Sequence, residues 1–290
     1  MKARSVRRRH GLDLALKAFS GLAAFGGCFM LGWILLLLLG RGLGALNWDF
    51  FTKLPTPPGV QGGGLGNAIV GTLAITLMAS LVGVPLGLLG GVFLAEFGRG
   101  TRLAAGIRFA ANILMGVPSI IVGVFVYGIL VKPMGGFSGY AGALALAIIM
   151  LPIVARTTED MLRLVPGSLR EAAMALGAPR WKVSFGIFLR AAKTGVLTGI
   201  LLAVARVSGE TAPLLFTALN SPYWNRFDSL PHLLGSFAQP TANLTVTIFN
   251  QAMSPYADWQ RSAWAASLLI TLGVLLVTLT SRFLIQRRGR

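Results

Sequence analysis

The sequence predicts an all-α integral membrane protein with six transmembrane helices and both termini in the cytoplasm. Hydropathy is the first sign: of 290 residues 54% are hydrophobic and 12% charged, with a mean hydropathy of +0.72. The charges are also bunched. Segments 18–40, 54–95, 109–131, 133–155 and 262–281 contain no Asp, Glu, Lys or Arg, and 194–219 contains only Arg206 and Glu210. A span needs about 20 largely apolar residues, so each of the six is long enough.

The third sign is where the positive charge lies. Segments 1–17, 96–108, 156–193 and 282–290 hold 20 of the 26 Lys and Arg, whereas 41–66, 132–138 and 220–261 hold 5, leaving Arg206. A positive-inside bias of this kind puts the first set, with both termini, in the cytoplasm. Contact with anionic lipid accounts for the net charge of +17, so nucleic acid need not be invoked.

The helices are expected at 14–40, 67–95, 107–131, 139–156, 192–219 and 262–285. Arg7, Arg8 and Arg9 precede the first, but its apolar stretch is too long for a signal peptide and Arg41 follows it, so it reads as a retained span. Cys28 within it is the only cysteine, and His10 and His232 fall on opposite sides, so no metal centre is expected. Pro55, Pro57, Pro58 and Gly62 to Gly64 make loop 41–66 irregular. Gly83, Val84 and Pro85 are expected to interrupt the second span, and Gly116, Val117 and Pro118 the third. Gly83, Gly87 and Gly91 suit close helix packing. The stretch 220–261 reads as external, with Tyr223, Trp224, Tyr256 and Trp259 at the membrane interface.

In the fifth span, Arg206 and Glu210 stand four apart and share one helical face. Charged groups at membrane depth are costly and default to function. They are either an ion pair joining helices or a charged element of an anion pathway. Arg156 lies where the fourth span meets the cytoplasm, where anchoring explains it adequately. Thr211 is expected to bond its own helix backbone.

Segment 156–193 carries helix signals. Pro166 and Gly167 break the chain, Ser168 is an N-cap, and Glu171 completes a capping box. Leu169, Ala172, Ala173 and Leu176 share a face, Gly177 ends the helix, and Pro179 starts the next. The small alanine face suits another protein more than lipid, since lipid-binding helices carry bulkier apolar residues.

Glu171, Ala172 and Ala173, then Gly177, then Ile187 and Leu189, resemble the EAA loop of ABC importer permeases, with Arg190 where that pattern has Pro. Further stretches narrow the resemblance to the permeases of phosphate importers. They are 205–217 (ARVSGETAPLLFT), 116–123 (GVPSIIVG), 151–153 with 156–159, 164–166, and 241–249 (TANLTVTIF). This resemblance implies type I ABC importer permease architecture. Its domains would be a basic tail 1–17, a first helix and loop 18–66, a MetI-like permease domain 67–285 with coupling loop 156–193, and a tail 286–290. It implies a substrate path through Arg206, Glu210 and Arg156, and ATPase coupling through Glu171, Ala172, Ala173 and Gly177.

The implied partners are a PstC-like second permease, two PstB-like ATPase subunits and an external PstS-like phosphate-binding protein, in a lipid membrane and without nucleic acid. No G-x-x-x-x-G-K-[ST] loop occurs, so ATP-Mg would be used on a partner and this chain holds no cofactor. An enzyme would need clustered carboxylates, a Ser–His pair or metal ligands in the spans, and Glu210 is the one acid there. The rival cargo is another oxyanion such as sulfate or molybdate; a membrane insertase would give the capped elbow no purpose.

Overall fold

The computed structural model describes residues 2–225, 232 and 235–286, and among them there is helix but no strand. Five helices are long and apolar enough to cross a membrane: α1 (Lys2–Gly42), α2 (Gly66–Phe97), α5 (Gly139–Arg163), α7 (Arg180–Ser208) and α9 (Ala257–Gln286). Between α2 and α5, α3 (Arg102–Gly116) and α4 (Ser119–Met134) form a pair bent by 103°, the broken equivalent of one span. The six expected spans are thus five continuous helices and one bent pair. The short helices α6 (Gly167–Ala175) and α8 (Leu244–Ala252) complete the element order.

α1 starts at Lys2, so the basic segment 1–17 continues the first helix instead of preceding it. The side chains of 2–9, expected at lipid, and the tail beyond Gln286 lie outside the described residues. α1 rests on α9 near its far end, where the Arg41 guanidinium lies 5.0 Å over the Trp264 ring.

One of the two expected Gly–Val–Pro breaks occurs. Val117 and Pro118 are extended (ψ 131° and 132°), as a residue before proline prefers, and the helix axis turns there. Pro85 instead sits inside a continuous α2, so the expected interruption of the second span is overturned. Packing on both sides of it prevails. A Cβ on Gly83 would meet Met150 at 3.3 Å, one on Gly87 would meet Val154 at 2.7 Å, and one on Gly91 would meet Thr158 at 2.5 Å. Losing one backbone hydrogen bond costs less than parting α2 from α5, whose association in lipid depends on close van der Waals contact.

α7 closes the core against α5 by the same device, with Gly195 on Met161 and Gly199 on Thr157. Ile75 and Ala79, Leu146, Met150 and Val154, and Ala203 and Val207 form the centre of the molecule. Much of the remaining apolar surface is exposed, from Leu12 to Leu37 in α1 and from Leu73 to Leu89 in α2. A soluble protein would not tolerate this, and a bilayer covers it.

Stretch 220–261 is not wholly an external loop. The chain turns inward, and α8 starts beside the second turn of α2, where Leu244 N–H donates to Thr72 Oγ1 at 2.8 Å. Thr241, Ala242, Asn243, Thr245, Val246 and Thr247 are all buried. Asn243 caps α8 by accepting from Val246 N–H at 3.0 Å, which satisfies a helix start inside the protein. Gly71 is needed here, because a Cβ would come within 2.0 Å of the Ala242 carbonyl oxygen. Re-entrant backbone is possible at this depth because its polar groups are satisfied within the protein.

Candidate functional site

α7 stops at Ser208, short of the expected 219, and Gly209 turns the chain (φ −96°, ψ 1°). Glycine is a poor helix former, and a helical Pro213 would clash with the carbonyl of Gly209 four residues back. The stop places Arg206 in the last turn and Glu210 just beyond it. The two still meet on one side, but loosely, with Arg206 Nε 3.9 Å from Glu210 Oε1. The Arg206 side chain is 58% exposed and that of Glu210 18%. An arginine so placed keeps most of its hydrogen-bonding fork available.

The turn that carries Glu210 is held from two directions. Thr245 Oγ1 of the re-entrant segment donates to the Glu210 carbonyl at 3.0 Å. The helical turn Ala212–Leu215 packs on α4, where a Cβ on Gly123 would lie 2.7 Å from Pro213 Cα. Leu219 adopts a left-handed conformation (φ 55°), and its carbonyl accepts from Asn243 Nδ2 at 2.8 Å. A β-bearing residue at that φ costs free energy and persists where its surroundings fix it. Among the described residues the Thr211 hydroxyl has no hydrogen bond, so its expected bond to the helix backbone is absent.

Arg156 is not a free lipid anchor. It joins a cluster around Glu159, whose side chain has no exposed surface. Glu159 Oε1 accepts from Arg108 Nε at 2.7 Å and pairs with Arg163 Nη2 at 2.6 Å, while Oε2 accepts from Arg156 Nη1 at 3.1 Å. Arg108 also donates to the Leu94 carbonyl at 2.9 Å, joining the end of α2, α3 and α5. Asp160 lies 3.6 Å from Arg156. Three guanidinium groups against two carboxylates leave this end of the fold positive. Residue spacing did not single out Glu159, because Arg108 is 51 positions away; the i, i+3 and i, i+4 partners alone read as a solvated helix face.

At the elbow, α6 begins one residue before Ser168, with Pro166 at its N-cap and no side-chain cap. The expected capping box does not form, because the Pro166 backbone (φ −56°) already sets the start one residue early. Gly177 ends the helix as expected, at φ +79°. The expected common face divides: Ala173 is buried, whereas Leu169, Glu171, Ala172 and Leu176 are exposed. α6 therefore presents a free surface on the Lys- and Arg-rich side. The interfacial aromatics Tyr223, Trp224 and Tyr256 are exposed, and Trp259 Nε1 donates to the Thr56 carbonyl at 3.2 Å.

A helical, multi-pass chain with a charged pair beside a broken span and an exposed elbow on its basic side is a membrane permease. Comparison with known proteins makes this specific. A family model described as the binding-protein-dependent transport system inner membrane component matches residues 83–290, and the chain belongs to that family. It is 50% identical over 281 residues to the phosphate transport system permease protein PstA of Yersinia pestis, covering 97% of this chain and 92% of that one. To the protein of the same name from Haemophilus influenzae it is 49% identical over 264 residues, covering 90% and 89%. To the probable phosphate transport system permease protein PstA of Methanocaldococcus jannaschii it is 39% identical over 229 residues, covering 77% and 76%. In fold it matches a chain of the MetNI methionine ABC transporter in an inward facing conformation. The TM-score is 0.62 at 20% identity, covering 78% of this chain and 96% of that one. The architecture is that of a type I ABC importer permease in the inner membrane.

Proposed function

We propose that this chain is a permease subunit of an ATP-driven importer for inorganic phosphate, with Arg206 at the anion path. The observation that carries the cargo is the near full-length identity to phosphate transport permeases. The exposed, loosely paired guanidinium of Arg206 supports the site. Arginine can offer two hydrogen bonds to an oxyanion and stays charged. A pathway must also release what it binds. Glu210 serves this by competing for Arg206: at 3.9 Å the pair is close enough to re-form when the anion leaves and too weak to prevent its binding. Arg156 is already shared between Glu159 and Asp160, so it contributes positive potential at the cytoplasmic end and no dedicated binding fork.

ATP-Mg is hydrolysed on a pair of PstB-like subunits, to which α6 docks through Glu171 and Ala172, with Ala173 packed inward and Gly177 setting the following turn. A PstC-like permease supplies the facing half of the path, and a PstS-like protein delivers phosphate from outside. Motion of α6 then alternates the side on which the path opens.

Radiolabelled phosphate uptake by the assembled complex in proteoliposomes tests this reading. Wild type takes up phosphate only with ATP, sulfate does not compete, and Arg206→Gln loses uptake while the complex stays assembled. Full uptake by the variant would reduce Arg206 and Glu210 to a structural pair. Competition by sulfate or molybdate would replace the cargo and keep the machine.

A further inference from the structure

The elbow helix is fastened to the spans through one guanidinium. Arg170, in the first turn of α6, donates from Nη2 to Glu96 Oε1. Its guanidinium carbon lies 4.8 Å from the centre of the Phe188 ring. The Glu96 side chain is 5% exposed and Phe188 is fully buried. Ala173, one turn further along α6, lies in the same buried cluster as Val92, Ala95, Leu162, Val183 and Phe188.

The two contacts of Arg170 fall at comparable points of two spans. Glu96 belongs to the π-helical turn Phe93–Phe97 that ends α2. Phe188 belongs to the π-helical stretch Val183–Phe188 in the first part of α7, the span that carries Arg206 at its far end. Wide turns of this kind are rare and recur at functional points of helices. Only a planar, delocalised cation can meet a carboxylate at its edge and an aromatic ring at its face together. Glu96 is too buried to be left without its partner when the helix moves, which keeps the pair closed.

We propose that Arg170 and Glu96 form the joint that carries displacement of α6 into α2 and α7 together. They are positioning residues for transport, distinct from the surface of α6 that meets the ATPase. This rests on the reading of the chain as an ATP-coupled importer permease. Pushing α6 moves the ends of both spans as one body. Without the joint, α6 tilts on Ala173 alone and hydrolysis proceeds without transport.

The test is the ratio of phosphate moved to ATP hydrolysed by the complete complex in proteoliposomes. Arg170→Lys and Glu96→Gln should assemble and hydrolyse ATP while the ratio falls on the order of tenfold, the size of a typical coupling between sites. A structural role alone would lower the yield of complex and leave the ratio intact. The decisive variant is Glu96→Cys with Arg170→Cys in a Cys28→Ser background, since Cys28 is the only native cysteine. Bridging the two thiols with a reducible bifunctional reagent should restore the ratio, and reduction should abolish it again in the same molecules, whatever the folding yield. A wild-type ratio in the single variants, or no recovery on bridging, overturns the joint. Absence of ATP-dependent phosphate uptake by wild type would instead overturn the function proposed above.

Discussion

Glu159 accepts three arginines in a site with no exposed surface, and removing it leaves three positive charges around an apolar gap. Breaking a fully buried ion pair costs about 3–5 kcal/mol. The three arginine side chains are 23–44% exposed and can regain water, so Glu159→Ala should cost less, about 2–3 kcal/mol. Glu159→Gln keeps one acceptor oxygen and should lose about half as much. Thermal unfolding of the detergent-purified complex measures both, and an unchanged Glu159→Ala midpoint would refute the clamp. Arg206 and Glu210 were legible in sequence because two charges in an apolar run have few explanations. Glu159 was not, because its burial depends on a helix distant in the chain. Nor were Glu96 and Arg170, each an unremarkable charge in a cytoplasmic loop, 74 positions apart.

At the scale of elements, α2 and α5 depend on glycines whose neighbours differ sharply. A Cβ on Gly91 would lie 2.5 Å from Thr158 Cβ and 2.6 Å from the Ala155 carbonyl oxygen, whereas one on Gly90 would meet nothing closer than Ala155 Cβ at 3.7 Å. Gly91→Ala should therefore destabilise by about 1–3 kcal/mol through overpacking. Gly90→Ala should be neutral or gain up to about 1 kcal/mol from helix propensity. Matched thermal unfolding of the two variants checks this; equal effects would mean that the helices separate easily and that small-residue spacing does not set their approach. The same packing explains why the two Gly–Val–Pro triplets, alike in sequence, differ in structure. Pro85 has close-packed glycines before and after it, whereas Gly116 has open space around it. α8 was illegible as a membrane-embedded helix because nine residues cannot span, and its threonines and asparagine resemble a loop until their buried partners are known.

For the whole molecule, orientation rests on charge placement, and the fold makes it testable with side chains that already face water. Leu176 is 89% exposed on the elbow and Met253 76% exposed just after α8. With five continuous spans and one bent pair, these two positions lie on opposite sides of the membrane. The excess of Lys and Arg around Leu176 assigns its side to the cytoplasm, since translocating those charges is disfavoured. In a Cys28→Ser background, an impermeant thiol reagent applied to intact cells should label Met253→Cys and spare Leu176→Cys until the membrane is opened. Thr245→Cys should resist labelling from either side, because the re-entrant segment is packed between the spans. Labelling of Leu176→Cys from outside would invert the topology and remove α6 from reach of any cytoplasmic ATPase. Labelling of Thr245→Cys from outside would return 220–261 to an ordinary external loop and detach the Glu210 carbonyl from the hydroxyl that now holds its turn.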